Sequence, residues 1–405
     1  MKTINRFLNY VKIDTKSDHQ SDTYPSTKKQ FDLANLLAKE LKEMGLEVVL
    51  DDYCYLYTKI PKNINKDILK VGFIAHLDTS PDASGKNVNP RIIENYDGMD
   101  IILNDKLSIK TSEFSFLSSL KGSDLVVTDG NTLLGADDKA GVAEIMSLVE
   151  TLVTDSSIKH GDIYICFTPD EEIGRGTDKF NFDLFKADFA YTVDGGAVDI
   201  ISYETFNAAS ALVTVTGKSI HPGSAKNKLV NASLLLMEFN NLLDHNKRPE
   251  YTEGYEGFNH LSEMKGEVER ANANYIIRNH DKNEFEKQKN SFIKIKDYLN
   301  DKHGYLAFSV DIKDSYYNMY EVLKNHKNVI DLAENALIDV GLTPKFEAIR
   351  GGTDGARLSF EGLPCPNLGT GGYNFHGPFE LLSINEMNAA VKVLLSIVKL
   401  LTNNN

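Results

Sequence analysis

Three short, largely apolar runs, Val71–Ala75, Ile163–Phe167 and Phe189–Val193, each stop at a motif of imidazole or carboxylate groups. The motifs are His76-Leu77-Asp78, Thr168-Pro169-Asp170-Glu171-Glu172 and Asp194-Gly195-Gly196. Unbroken apolar runs of this length, bounded by polar residues, read as strands buried on both faces. Helical patterns are interleaved with them: Phe31, Leu33, Ala34, Leu37, Ala38 and Leu41 repeat at helical spacing, as does Val142–Leu152. Thr27-Lys28-Lys29-Gln30 predicts a capping box for the first of these helices, and Gly45 stops it. Strands alternating with helices make an α/β fold, a mostly parallel sheet covered on both faces. Such sheets carry their chemistry in the loops at strand ends. Two further polar motifs, Asp137-Asp138-Lys139 and His376-Gly377, lie at a helix start and in a glycine-rich loop.

At 405 residues the chain exceeds one ordinary domain, and its pattern changes near residue 207. A strand at Ala211–Thr216 leads to a helix at Asn231–Leu243, and extended runs follow around Leu261–Val268 and Asn274–Arg278. A charged helix at Glu284–Leu299 and a strand at Tyr305–Ile312 complete a β-α-β-β-α-β, ferredoxin-like order. Helix (Val329–Val340), strand (Phe346–Ile349) and helix (Ile384–Leu401) then resume. This predicts a discontinuous catalytic domain, residues 1–206 and 319–405, interrupted by a smaller domain over 207–318. Residues 80–123, rich in Gly, Asn, Ser and Asp, read as a long irregular excursion.

The net charge of -14 argues against nucleic acid or an anionic membrane as partner. No stretch approaches the ~20 apolar residues of a membrane span. The three cysteines, Cys54, Cys166 and Cys365, form no CxxC pair and suit a reduced compartment. Met1–Arg6 leads into an amphipathic helix instead of an apolar signal core, so a soluble cytoplasmic protein is expected.

Each motif has a plain structural reading as well as a chemical one. His76 and Asp78 form a hydrogen-bonded pair at a turn, or a ligand and the acid that orients it. Asp137 and Asp138 cap a helix, or supply a carboxylate bridging two metals ~3.5–4 Å apart. Asp170, Glu171 and Glu172 are a solvated acidic loop, or a ligand beside a free general base. Asp194 and His376 say little singly. Together the motifs offer one histidine and one carboxylate per metal, a bridging acid and a free base. Thiolate-free donors of this kind suit a hydrolytic zinc, cobalt or manganese site. Arg350, in Arg350-Gly351-Gly352-Thr353-Asp354-Gly355, is a carboxylate clamp or the partner of Asp354. His221 and Arg278 offer a second imidazole and a second guanidinium inside the insertion.

His76-x-Asp78, Gly135-Ala136-Asp137-Asp138-Lys139-Ala140-Gly141, Pro169-Asp170-Glu171-Glu172, Val193-Asp194-Gly195-Gly196 and His376 resemble the di-zinc aminopeptidase, carboxypeptidase and aminoacylase superfamily. Longer strings resemble its tripeptide-aminopeptidase branch: Ser84-Gly85-Lys86-Asn87-Val88-Asn89-Pro90, Thr252-Glu253-Gly254-Tyr255-Glu256-Gly257-Phe258, and Asp314-Ser315-Tyr316-Tyr317-Asn318-Met319. The likeness runs from Phe7 to the last helix. It implies two zinc ions per chain, with cobalt or manganese as substitutes: His76, Asp137 and Asp194 on one, and Asp137, Glu172 and His376 on the other. It further implies Glu171 as general base, Asp78 as the acid behind His76, and a cis Asp137–Asp138 peptide. The inserted domain becomes a lid on which His221 steadies the oxyanion, while Arg278 and Arg350 bind the substrate carboxylate. The implied activity is release of the N-terminal residue of short peptides, with a homodimer formed through the lid. An N-acyl amino acid deacylase or carboxypeptidase on the same scaffold is the nearer alternative, and a non-catalytic peptide- or metal-binding protein the more distant one.

Overall fold

The computed structural model describes residues 1–403, and they form two compact units. The first comprises Met1–Tyr203, Val322–Glu347 and the chain from Thr353 onward; the second comprises Glu204–Glu321 and Ala348–Gly352. The breaks expected after residues 206 and 318 thus fall after Tyr203 and Glu321. Ala348–Gly352, expected in the catalytic domain, belongs to the second unit, because Ile349 pairs with Thr205 and Arg350 binds the loop at Thr252–Glu256.

In the first unit an eight-stranded sheet has a parallel centre: Ile163–Thr168, Val71–His76, Phe189–Val193 and Asn367–Leu368. Leu56–Ile60 and Val48–Leu50 extend one side antiparallel. On the other side Ile200–Ser202 runs antiparallel to Asn367–Leu368 and parallel to Lys345–Phe346. All residues of Val71–His76, Ile163–Thr168 and Phe189–Val193 are buried, which is why their sequences lack the alternation of a half-exposed strand. The helix Ala136–Thr154 packs on Val71–His76 and against the helices Thr3–Tyr10 and Ile384–Asn403. Phe73, Ile165, Tyr191, Val142, Ile145, Leu394 and Ile397 share that core. Burial of each such side chain is worth about 1.5–3 kcal/mol.

The excursion over 80–123 contains a short hairpin, Ile101–Asn104 with Leu107–Ile109, and a strand Arg91–Ile93. That strand joins Leu125–Val127, Leu381–Ser383 and Gly372–Tyr373 in a small antiparallel sheet. The capping box predicted at Thr27–Gln30 is not formed. The Gln30 Oε1 that such a box needs as acceptor instead accepts the backbone N–H of Asp170 at 3.2 Å, and the Gln30 Nε2 donates to the buried Asp170 carboxylate at 2.7 Å, a charge-assisted bond.

In the second unit the strands follow the spatial order Phe258–Gly266, Arg270–Asn279, Asn207–Thr216, Phe308–Tyr316, with every neighbour antiparallel. This is the split β-α-β-β-α-β arrangement. Ala211, Val213, Val215, Ala273, Tyr275 and Ile277 line one sheet face beneath Leu236, Phe239, Phe285 and Phe292 of two helices, Ala232–Leu242 and Lys282–His303. Among the described residues no helix is long and apolar enough to cross a membrane.

Candidate active site

Parallel register brings the acid and imidazole motifs together. Ile163 lies beside Val71 and Thr168 beside His76, while Ile74 lies beside Thr192. Three strands therefore end at one edge of the sheet, and His76, Glu171, Glu172 and Asp194 leave from it together. Asp137 arrives from the start of the helix Ala136–Thr154, after Gly135 in the left-handed region at φ 84°. Asp137 and Asp138 are non-helical and joined by a cis peptide. A Cβ at Gly141 would lie 1.8 Å from the Val193 carbonyl, so a glycine there lets this helix meet the strand end that carries Asp194. His376, at φ 67°, comes from the loop between Gly372–Tyr373 and Leu381–Ser383.

Two sets of donors result. His76, Asp137 and Asp194 each offer one atom within 4.8 Å of the others, and so do Asp137, Glu172 and His376. Asp137 belongs to both: its Oδ1 is 2.8 Å from His76 Nε2 and its Oδ2 is 3.2 Å from His376 Nε2. His376 Nε2 is also 2.9 Å from Glu172. The Glu171 carboxylate lies 4.0 Å from His76 Nε2 and makes no hydrogen bond among the described residues.

Around these donors is a ring of holding contacts. His76 Nδ1 is 3.0 Å from the Asp78 carbonyl and 3.4 Å from its carboxylate. The carbonyl is the nearer of the two Asp78 partners, and the carboxylate stands behind it. The Asp78 carboxylate, fully buried, also accepts the backbone N–H groups of Glu171 (3.0 Å) and Glu172 (3.2 Å), so it fixes the loop of the candidate base. Asp138 turns inward and accepts from the His76 and Gly141 N–H groups. Asp170, left-handed at φ 55°, is gripped by Ser26 and Gln30. Two further acids stand close by: Asp354, which the sequence offers only as a partner for Arg350, and Glu380. Asp354 is buried and accepts from Thr168 Oγ1 at 2.8 Å. Glu380 is buried and accepts from three backbone N–H groups just before and at Asp137. An acid embedded between Phe379 and Leu381 was the available signal for Glu380.

Residues 126–400 match the model of peptidase family M20/M25/M40. The chain belongs to that family. Peptidase T of Alkaliphilus oremlandii is 50% identical over 402 residues, covering 98% of each chain. Peptidase T of Clostridium perfringens is 52% identical over 400 residues, again 98% of both. Among solved structures, the fold is similar to aminopeptidase PepT from Bacillus cereus (TM-score 0.78, 21% identity, 99% of this chain and 98% of that one). It is also similar to a tripeptidase from Staphylococcus aureus (TM-score 0.77, 22% identity, 99% and 98% covered). A Bacillus subtilis dinuclear metal-binding peptidase of family M20 shares the fold at TM-score 0.66 and 13% identity, with 100% and 98% covered.

The donors of this family member fit divalent metal ions. Glu172 Oε1 is buried without a hydrogen-bond partner among the described residues, a state that a cation relieves. Burial first, and Asp137 second, push Glu172 up to about 8 and Asp194 up to about 7. Burial, with Asp194, Asp354 and Glu172, raises Glu171 against the pull of His76. Hydrogen bonds to Asp137 and Glu172 push His376 up to about 11. Burial opposes ionisation of Asp137, but its bonds to His376 and His76 outweigh it and hold Asp137 below the usual carboxylate range.

These shifts predict how the metal-free protein responds to pH. Glu172, Asp194 and His376 are all raised when folded, so the stability they contribute is complete below their unfolded values of 4.5, 3.8 and 6.5. It is lost as pH rises through the folded values. The opposite contribution of Asp137 is already complete above ordinary carboxylate pH. Chelated protein should therefore melt at progressively lower temperature from about pH 5 to about pH 8.5, and added zinc should flatten the slope. A melting temperature that climbs across this window would contradict the assignment.

The remaining expected site residues lie in the second unit. His221 is exposed before the turn Pro222–Ser224, and its Nδ1 accepts from Gly223 N–H at 3.1 Å. Arg278 commits Nη1 to the carbonyls of Ala209 and Ile277 and stands 5.4 Å over the Tyr316 ring. Arg350 donates through both Nη atoms to Gly254, Glu256 and Thr252, and stands over Phe206 and Phe258. With those N–H groups engaged, Arg350 anchors the Thr252–Glu256 loop; a bidentate fork on a carboxylate would require those bonds to be released.

Proposed function

We propose that the chain hydrolyses the first peptide bond of tripeptides, releasing the N-terminal residue, in a reaction that needs two divalent metal ions. The observation that carries this reading is Asp137, whose two oxygens face the histidines of two separate donor sets. His76, Asp137 and Asp194 would hold one ion, and Asp137, Glu172 and His376 the other. Zinc is the proposed ion, and cobalt or manganese would accept the same nitrogen and oxygen donors. When bound, a pair of ions supplies positive charge to the scissile carbonyl and increases the acidity of a water.

Glu171 takes the proton of that water and delivers it to the leaving amine. It suits the task because its carboxylate has no competing hydrogen bond among the described residues, and because the backbone N–H groups of Glu171 and Glu172 are fixed by Asp78. In the second unit, Arg278 and Arg350 are assigned to the substrate's carboxylate, and His221 to the developing oxyanion. Arg278 is the better placed of the two guanidinium groups, since among the described residues only its Nη1 is committed to backbone carbonyls. The names of the relatives, Peptidase T and a tripeptidase, support the same substrate class. A cytoplasmic location is part of the proposal.

The test is hydrolysis of a free tripeptide, its N-acetylated form, and dipeptide and tetrapeptide relatives. Each is assayed as purified, after chelation, and after zinc or cobalt is returned. Cleavage confined to the free tripeptide, lost to chelator and restored by metal, is the expected result. Cleavage of the acetylated peptide instead would make the protein a deacylase or carboxypeptidase.

A further inference from the structure

The loop Asn374–Glu380 joins two antiparallel strands, Gly372–Tyr373 and Leu381–Ser383. His376 lies within it and Glu380 closes it, with Glu380 N–H donating to the Gly377 carbonyl at 3.2 Å. The Glu380 side chain reaches back across the fold to the segment that ends in Asp137. Its Oε2 accepts the N–H groups of Leu134 (2.6 Å) and Gly135 (2.8 Å), and its Oε1 accepts the N–H of Asp137 itself (3.0 Å). The residue is 1% exposed, so no water competes for these bonds. Three backbone donors converging on one buried carboxylate form an anion-binding nest. Bonds of this charge-assisted kind are roughly twice as strong as neutral ones.

The consequence concerns two residues of one donor set that come from distant parts of the chain. His376 and Asp137 meet at 3.2 Å, and the Glu380 carboxylate connects the loop of the first to the backbone of the second. His76 sits on a buried strand and Asp194 directly follows one, both held by sheet hydrogen bonds. His376 has no such frame: its loop carries left-handed residues at Asn374 and His376.

We propose that Glu380 is a positioning residue for the set Asp137, Glu172 and His376, fixing the His376 loop against Asp137 so that this set can bind its ion. The proposal rests on the ligand sets assigned above. Loss of the carboxylate should weaken the ion on this set first and leave the ion on His76, Asp137 and Asp194 close to wild type.

The experiment is a cobalt titration of full-length metal-free protein, wild type and Glu380→Gln, followed by absorbance and elemental analysis, with a melting curve of each metal-free protein. In Glu380→Gln the amide oxygen still accepts two N–H groups, but its NH2 group faces the third, donor against donor. The expected result is two binding steps, the weaker of them ~10–100-fold weaker than in wild type, as losses of outer-sphere partners typically are. The visible spectrum of the second cobalt should change as well. Glu380→Asp keeps the charge but shortens the reach by one methylene, and should weaken the same step even if the glutamine variant does not fold. Unchanged affinity at both steps would overturn the proposal, and so would an equal loss at both. Wild-type protein that binds fewer than two ions would overturn the ligand sets themselves, a different failure.

Discussion

Glu171→Gln should lower kcat on a free tripeptide by about 10²–10⁴-fold, the span typical of a lost general base, while both metal ions stay bound. The prediction follows from what Glu171 does not touch. Its neighbour Glu172 is 2.9 Å from His376 and belongs to a donor set, whereas the Glu171 carboxylate is 4.0 Å from the nearest imidazole nitrogen. Its backbone N–H donates to the Asp78 carboxylate at 3.0 Å, so glutamine would occupy the same place. The substitution removes the proton acceptor and little else. KM should change far less than kcat, because the lost interaction is with the transferring proton and not with the bound peptide. The checks are steady-state kinetics and elemental analysis on the same preparation. A variant with wild-type kcat removes Glu171 from the mechanism, and one that has lost metal moves it into a ligand set.

Asp137→Ala should have the larger effect on metal content. Oδ1 and Oδ2 of Asp137 face His76 and His376 respectively, so truncation takes one donor from each set at once. Each ion is left with two protein donors, and the remaining acids, Glu171, Glu172 and Asp194, stay crowded together in a buried place. The loss in affinity should exceed the ~10–100-fold that follows loss of an outer-sphere partner, at both positions. Purified protein should carry less than one ion per chain and show no measurable turnover. Retention of two ions at wild-type affinity would mean that Asp137 is not shared. The contrast with Glu380→Gln, where only one binding step should weaken, separates a bridging ligand from a residue that positions one side of the site.

The parts of this protein whose signal is local are legible in its residues. Apolar runs such as Val71–Ala75 and Phe189–Val193 can only be satisfied as strands buried on both faces, and parallel strands necessarily end side by side. The acid and imidazole motifs at their ends therefore had to converge, and His76, Glu171, Glu172 and Asp194 were legible for that reason. The order β-α-β-β-α-β over the inserted region was equally local, since each element carries its own periodicity. The cis Asp137–Asp138 bond was available only through family resemblance; no periodicity announces it.

Tertiary structure decided which groups hold which. Glu380 meets the Leu134 N–H across 246 positions of sequence, and a backbone donor is the same chemical group at every non-proline residue, so no motif could mark that partner. The same reason hid a second task of Asp78: beside His76 Nδ1, which its carbonyl and carboxylate both approach, its carboxylate also accepts two backbone N–H groups. Gln30 is drawn from its expected cap because Asp170 offers both a backbone N–H to its Oε1 and a buried carboxylate to its Nε2. For Arg350 residue type leaves a carboxylate clamp or a partner for Asp354 open and family resemblance implies the substrate's carboxylate; the partners its guanidinium meets are Thr252, Gly254 and Glu256. Residue type and spacing reveal what a side chain can do; which of its possible partners it meets depends on long-range folding, and here that choice distinguishes the ligands from the groups that hold them.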